Sequence, residues 1–340
     1  MRKIMYFKRK PYFASFAAVG GYEERKGPLG ELFDLTDSED RFGMKTWEKA
    51  EGEMGRISLA LALKKASLSE NELDVLLSGD LENQCVASSG GLYCFGIPYL
   101  GLYNACSTCT EALLLLSSLI GASYADCGAA VTTSHNSAAE RQFRTPIEYG
   151  AQRTPSSQWT STAAGAFIMS SNEDSGVYID NAMIGKIVDG VTTDGSNMGP
   201  AMARAAADSV YTYLSLTETG AKDYDAIFTG DLGKIGSAVF SELIEKDFPG
   251  VSKIHLDCGT LLYDMNKENV NAGASGCGCS ASVLATYVLP RLISGEYKNI
   301  LFLSTGALMS PSSILQGQNI LGIAPVINIR STNKKGETKK

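Results

Sequence analysis

Histidine is nearly missing from this chain: His135 and His255 are the only two among 340 residues, so any proton-transfer scheme has little imidazole to draw on. No apolar run approaches the roughly 20 residues that a membrane-spanning helix needs; the longest, Ala112 to Ile120, is interrupted by two serines. Positive charge is not in excess. The net charge of −7 argues against nucleic acid as a partner, because phosphate binding needs a basic surface. The basic runs Lys8-Arg9-Lys10 and Lys334-Lys335 read as solvated ends, with weak attraction to an anionic membrane surface as the alternative. Glycine is abundant at 35 but follows no short period, which excludes collagen-like and low-complexity chains. Eight cysteines in a chain of this length do not form a disulfide scaffold, and a reducing, intracellular setting fits them best. The start of the chain imitates a signal peptide, but its basic residues come late and Phe13–Val19 is short and holds two aromatics. That segment reads as a first strand.

What is present is an internal repeat. LDVLLSGDL at 73–81 matches YDAIFTGDL at 224–232, two apolar strands that each end in Gly-Asp-Leu. Ala105-Cys106-Ser107 opens an apolar stretch, as does Gly276-Cys277-Gly278, and AAVTTS at 129–134 matches ILFLST at 300–305. Asp231 follows Asp80 by 151 positions, whereas Cys277 follows Cys106 by 171. About 20 extra residues are therefore expected between the first strand and the cysteine helix of the second half, as an insertion containing His255-Leu256-Asp257-Cys258-Gly259. The order of elements implies an α/β protein of two halves, 1–195 and 196–340, with parallel strands joined by helical crossovers. Gly199-Pro200 marks the join, and Pro200 suits the first turn of a helix over Ala201–Leu214. Each cysteine helix is expected to point its start from the carboxyl end of a strand into one shared pocket, where α/β sheets bind ligands.

Duplicated halves with Asn104-Ala105-Cys106-Ser107-Thr108 at a helix start resemble the thiolase and ketosynthase superfamily, as do AAGAFI at 163–168 and GASG at 273–276. That resemblance implies a thiolase-like fold with mixed sheets stacked in an αβαβα arrangement, a homodimer, and an acyl-accepting cysteine at Cys106. A narrower set is more specific. GPLGELFD (27–34), GDLENQ (79–84), SHNSAAERQFRTPIEYGAQ (134–152), DCG (257–259), AGASGCGCSA (272–281) and TGALMSP (305–311) together resemble the stage V sporulation protein AD family of endospore-forming bacteria. This resemblance implies binding of dipicolinic acid and its movement into the developing spore, alongside membrane partner proteins and in soluble form or peripherally on the spore inner membrane. It implies no cofactor.

The residues themselves divide between catalysis and binding. Cys106 at a helix start is expected to be a thiolate, stabilised by the helix dipole. Condensing enzymes add a His and a second His or Asn. His255 is the one candidate for the first role, and Val270, three positions before Gly273, cannot fill the second. The site is thus expected to be chemically incomplete, a binding pocket with a vestigial nucleophile. For a dianion, two helix N-termini would supply N–H donors. Ser134, His135 and Asn136 would line the pocket, and Arg141 and Arg144 would grip a carboxylate by two parallel bonds. The alternative for Arg141 is a surface pair with Glu140 or Glu148. Asp257 and Cys258 are candidates from the second half, with Asp257 orienting His255 or capping a turn. Asp80 and Asp231 read as turn geometry. A zinc site or a redox pair built from Cys106, Cys109, Cys277 and Cys279 is the minor reading. Three functions stay open: a non-enzymatic dipicolinate-binding protein, an acyl-transferring enzyme using Cys106, and a scaffold that docks membrane partners.

Overall fold

The computed structural model describes residues 2–143, 153–173, 175–266 and 270–334. Ten strands form the path of the main sheet: β1 (Tyr12–Gly20), β2 (Val75–Gly79), β3 (Tyr99–Gly101), β4 (Cys127–Ser134), β5 (Ala163–Ser170), β6 (Val177–Met183), β7 (Ala226–Thr229), β8 (His255–Asp257), β9 (Asn299–Leu303) and β10 (Val326–Ser331). Their spatial order is β3-β2-β4-β5-β1 followed by β6-β10-β9-β7-β8. The second five repeat the first in mirror sequence about the junction. In each set four strands run in one direction and one, β5 in the first and β10 in the second, runs against them. β1 and β6 touch through the single register pair Tyr12–Tyr178, so the path is two five-stranded sheets joined at one point.

Period-2 alternation dictates the layering. Leu77, Ala130, Phe167, Phe228, Ile300 and Phe302 point into one shared core. Their chain neighbours point the other way. Leu76, Ala129, Val131, Ala166 and Ile168 pack on the helix α1 (Trp47–Ala66). Ile227, Leu301 and Leu303 pack with residues of α4 (Gly199–Thr217) and α5 (Gly233–Glu245). The shared core is filled by α2 (Thr108–Gly121) and α6 (Cys277–Val283), the latter continued by a π turn over Leu284–Val288 and a last turn over Leu289–Ile293. Helix, sheet, paired helices, sheet and helices make the αβαβα arrangement. Each large apolar side chain so buried contributes roughly 1.5–3 kcal/mol. Helix α3 (Asn136–Phe143) follows β4 directly.

Two expectations are placed differently by the topology. β6 holds in the second set the position that β1 holds in the first, so the structural repeat begins again at Val177, upstream of the 195/196 join. And His255-Leu256-Asp257 is no insertion: it is β8, parallel to β7 as β3 is parallel to β2. Most of the extra residues follow it, between Cys258 and Gly276. Apolar content alone could not distinguish a short edge strand from inserted sequence. Phe13–Val19 lies within β1, and Pro200 sits in the first turn of α4, as expected.

The central helices seat closely. A Cβ on Gly165 of β5 would fall 2.7 Å from the Cβ of Ala281 and 2.8 Å from its carbonyl. Gly165→Ala should therefore destabilise the protein by about 1–3 kcal/mol, read as a lower urea midpoint. An unchanged midpoint would show that α6 can shift freely.

Candidate functional site

A cavity of about 1010 Å³ opens between the two sets of elements, lined by the start of the Cys106 segment, α3, the strand Trp159–Thr160, Ser275 and the residues around Leu308–Leu315. A short parallel pair, Trp159–Thr160 with Ala274–Ser275, stitches the halves together at its wall. Helix α3 presents Asn136, Ser137, Ala139, Glu140 and Phe143 to it, the one-face spacing of a helix.

Cys106 lies on this wall and is 6% exposed. Ala105 before it holds a left-handed φ of 50°, an unfavourable conformation for a residue with a side chain. The expected thiolate is not supported. Burial, and then the negative charge of Asp231, push the Cys106 thiol well above its usual range. The helix dipole loses because desolvation of a buried anion is the larger effect. Cys106 Sγ lies 3.9 Å from Ser275 Oγ, which donates to Asp231 Oδ2 at 3.2 Å. Asp231 also accepts from Gly276 N at 2.9 Å and Thr305 Oγ1 at 2.8 Å. It is thus a buried hub beneath the cavity, more than the turn residue its repeat partner Asp80 is. Asp80 accepts from Glu82 N, Ser88 N and Ser88 Oγ.

The expected anion site at the second helix start is already filled by the protein. Gly276 N donates to Asp231 and Gly278 N to Ser134 Oγ at 3.2 Å. Cys277 turns its thiol to Thr133 O at 2.9 Å. All the thiols of the helix starts are buried and raised by desolvation first, and among the described residues no group of His, Cys, Asp and Glu is arranged to hold a metal.

Of the other expected site residues, Asn136 lines the cavity and donates from Nδ2 to Thr160 O at 3.2 Å. Ser134 is buried behind it and donates to Ser161 O. His135 is buried but faces away: Nε2 bonds Asp40 O at 2.8 Å, Nδ1 accepts from Ser137 N, and the ring packs on Trp47. Burial lowers its pKa. Arg141 points outward to Glu48 Oε1 at 2.9 Å and is 55% exposed, a surface pair with a different acid from those expected. Arg144 and Glu148 lie outside the described residues. His255 does not reach the cavity wall. Its Nε2 bonds Thr229 Oγ1 at 2.7 Å, its ring packs on Phe240, and burial pulls its pKa to about 4. Asp257 caps the turn after β7, accepting from Leu232 N at 2.8 Å and Gly233 N at 2.9 Å, and shares the Thr229 hydroxyl with His255. Cys258 belongs to the shared core. His255, Asp257 and Cys258 are thus corrections as ligand contacts, because the polar groups of the edge strand β8 serve Thr229 and the turn after β7 and Cys258 packs in the core, while the turn-capping role of Asp257 is as expected.

Among the described residues the cation at the wall is Arg153, which directly follows the SHNSAAERQFRTPIEYGAQ segment. Its Nη2 lies 3.0 Å from Glu140 Oε1, its Nη1 donates to Gln158 O at 3.3 Å, and its guanidinium lies 4.5 Å from the Trp159 ring centre. The remaining wall is apolar, with Met198, Leu308, Met309 and Ile314.

Residues 1–330 match the family model described as Stage V sporulation protein AD. The chain belongs to the Stage V sporulation protein AD family. The protein of that name from Bacillus subtilis (strain 168) is 38% identical over 318 residues, covering 94% of each chain. Among solved structures, a cerulenin complex of a Xanthomonas campestris OleA variant is similar with a TM-score of 0.60 at 14% identity, covering 95% of this chain and 98% of that one. The 3-oxoacyl-[acyl-carrier-protein] synthase III of Aquifex aeolicus VF5 is similar with a TM-score of 0.56 at 12% identity, covering 93% and 99%. These likenesses show that this chain has the thiolase-like fold. No helix among the described residues is long and apolar enough to cross a membrane.

Burial leaves a signature in this family member. Glu24, Glu82 and Asp257 are raised to about 7 and Asp231 to about 6, all by desolvation first. Groups raised in the fold stabilise it fully below their unfolded pKa, and that contribution is lost as pH rises through the folded value. The two lowered histidines act oppositely, but only below about 6.5, where the unfolded imidazole charges. The urea midpoint should therefore fall between about pH 6 and about pH 8; a rise over that window would contradict the burial of these carboxyls.

Proposed function

We propose that this protein acts in sporulation as a non-catalytic binding protein for dipicolinate, serving its uptake into the developing spore. Family membership supports the sporulation role. One observation carries the rest: a guanidinium lying over an indole on the wall of the cavity. Arg153 over Trp159 offers a flat cationic and aromatic surface, and dipicolinate is a flat ring with a carboxylate on either side of its nitrogen. A planar fork can hold one carboxylate by parallel bonds while the ring stacks. The second carboxylate has amide and hydroxyl donors within the same wall, from Asn136, Ser137 and Thr154. Acyl transfer is disfavoured because no imidazole lines the cavity among the described residues and Cys106 is held neutral. Calorimetric titration with dipicolinate should give saturable binding, weakened roughly tenfold or more by Arg153→Ala, the loss of a charge-assisted contact. Absence of binding to the unaltered protein would overturn the proposal.

The second reading, an acyl-transferring enzyme, rests on Cys106 standing on the cavity wall after a left-handed Ala105. Incubation with acyl-CoA donors and intact-mass measurement distinguishes the two. No adduct on Cys106 is expected at neutral pH, and a stoichiometric adduct lost in Cys106→Ala would favour the enzyme.

A further inference from the structure

Among the described residues, the one cation that lines the cavity is already paired with an acid of the protein. Glu140 and Arg153 both line the cavity, their side chains are 15% and 23% exposed, and Glu140 Oε1 sits 3.0 Å from Arg153 Nη2. Arg141, the next residue on α3, faces the opposite way to Glu48, so the helix separates a surface pair from a cavity pair. Arg153 is held from three sides, by Glu140, by Gln158 O and by the Trp159 ring. A ligand carboxylate approaching that guanidinium therefore meets a carboxylate in possession.

We propose that Glu140 is a resident competitor for the ligand's carboxylate at Arg153, so that ligand enters and leaves this cavity by exchange with an internal acid. The inference rests on the binding reading above. Its physical basis is that a close ion pair between partly buried groups must be given up before a second anion can take its place at the same guanidinium. Exchange keeps the guanidinium paired at every stage. It also weakens net affinity and speeds release, which suits a protein that must hand its ligand on. The displaced group is the same whatever the ligand, so removing its charge should favour every dicarboxylate that uses Arg153 by a similar factor.

Calorimetry at neutral pH with dipicolinate, and with glutarate, whose carboxylates are separated by a three-atom chain as in dipicolinate, tests this on Glu140→Gln and on Glu140→Ala. Circular dichroism shows that each variant is folded, and either folded variant suffices. Dipicolinate should bind roughly tenfold tighter or more than to the unaltered protein, one charge-assisted bond no longer needing displacement, and glutarate should gain similarly. Affinity equal to or weaker than that of the unaltered protein would overturn the inference while leaving the binding reading intact. Failure of the unaltered protein and both variants to bind would overturn both. Loss of fold in both variants would also overturn it, showing Glu140 to be a structural partner of Arg153 rather than an exchangeable one.

Discussion

Everything in this molecule is arranged around a pair of central helices, α6 wholly buried and α2 buried along most of its surface. α2 and α6 lie between two sheets, and each strand must serve the shared core with one set of side chains and an outer helix layer with the alternate set. Phe228 and Phe302 turn inward while Ile227, Leu301 and Leu303 turn outward. Close packing of this kind makes each unsatisfied polar group costly. The helix starts, where N–H groups normally look outward for partners, must therefore be served by the protein itself: Asp231 for Gly276, Ser134 for Gly278.

That constraint decides the chemistry of the site. A cysteine at an exposed helix start tends towards thiolate, but one buried next to a carboxylate is driven the other way. Cys106 is such a case, with Asp231 linked to it through Ser275. The structural neighbours include enzymes with the same fold, and the fold alone does not carry their chemistry. Here the charged pair on the cavity wall, Arg153 with Glu140, stands apart from the hydrogen bonds that serve the helix starts. Those side chains keep partial contact with solvent.

The repeat, the cysteine helices, the first strand and the layered α/β class were legible in the residues because they follow from local pattern: period-2 strands, small residues at helix starts, a proline in a first turn. Two members of the site were legible as well, Cys106 and Asn136, since each directly follows or opens a recognisable element. Arg153 and Trp159 were not. Nothing local marks them; Trp159 reaches the cavity through parallel pairing with Ala274, a contact that spans the two halves. His255 misled for the converse reason: its residue type suits catalysis, but its strand lies at the sheet edge and its ring is absorbed by Thr229 and Phe240.

By itself, then, the sequence determined the architecture and the family, because alternation, duplication and ordered motifs survive as patterns along the chain. Only the tertiary structure decided which charges meet. Arg141 and Glu140 are adjacent on one helix, yet one faces Glu48 on the surface and the other Arg153 in the cavity. Protonation was likewise a tertiary outcome, since the pKa of Cys106 depends on burial and on Asp231, a residue 125 positions away in the chain. Both depend on how much water remains beside each group, and that is set by packing between elements distant in sequence.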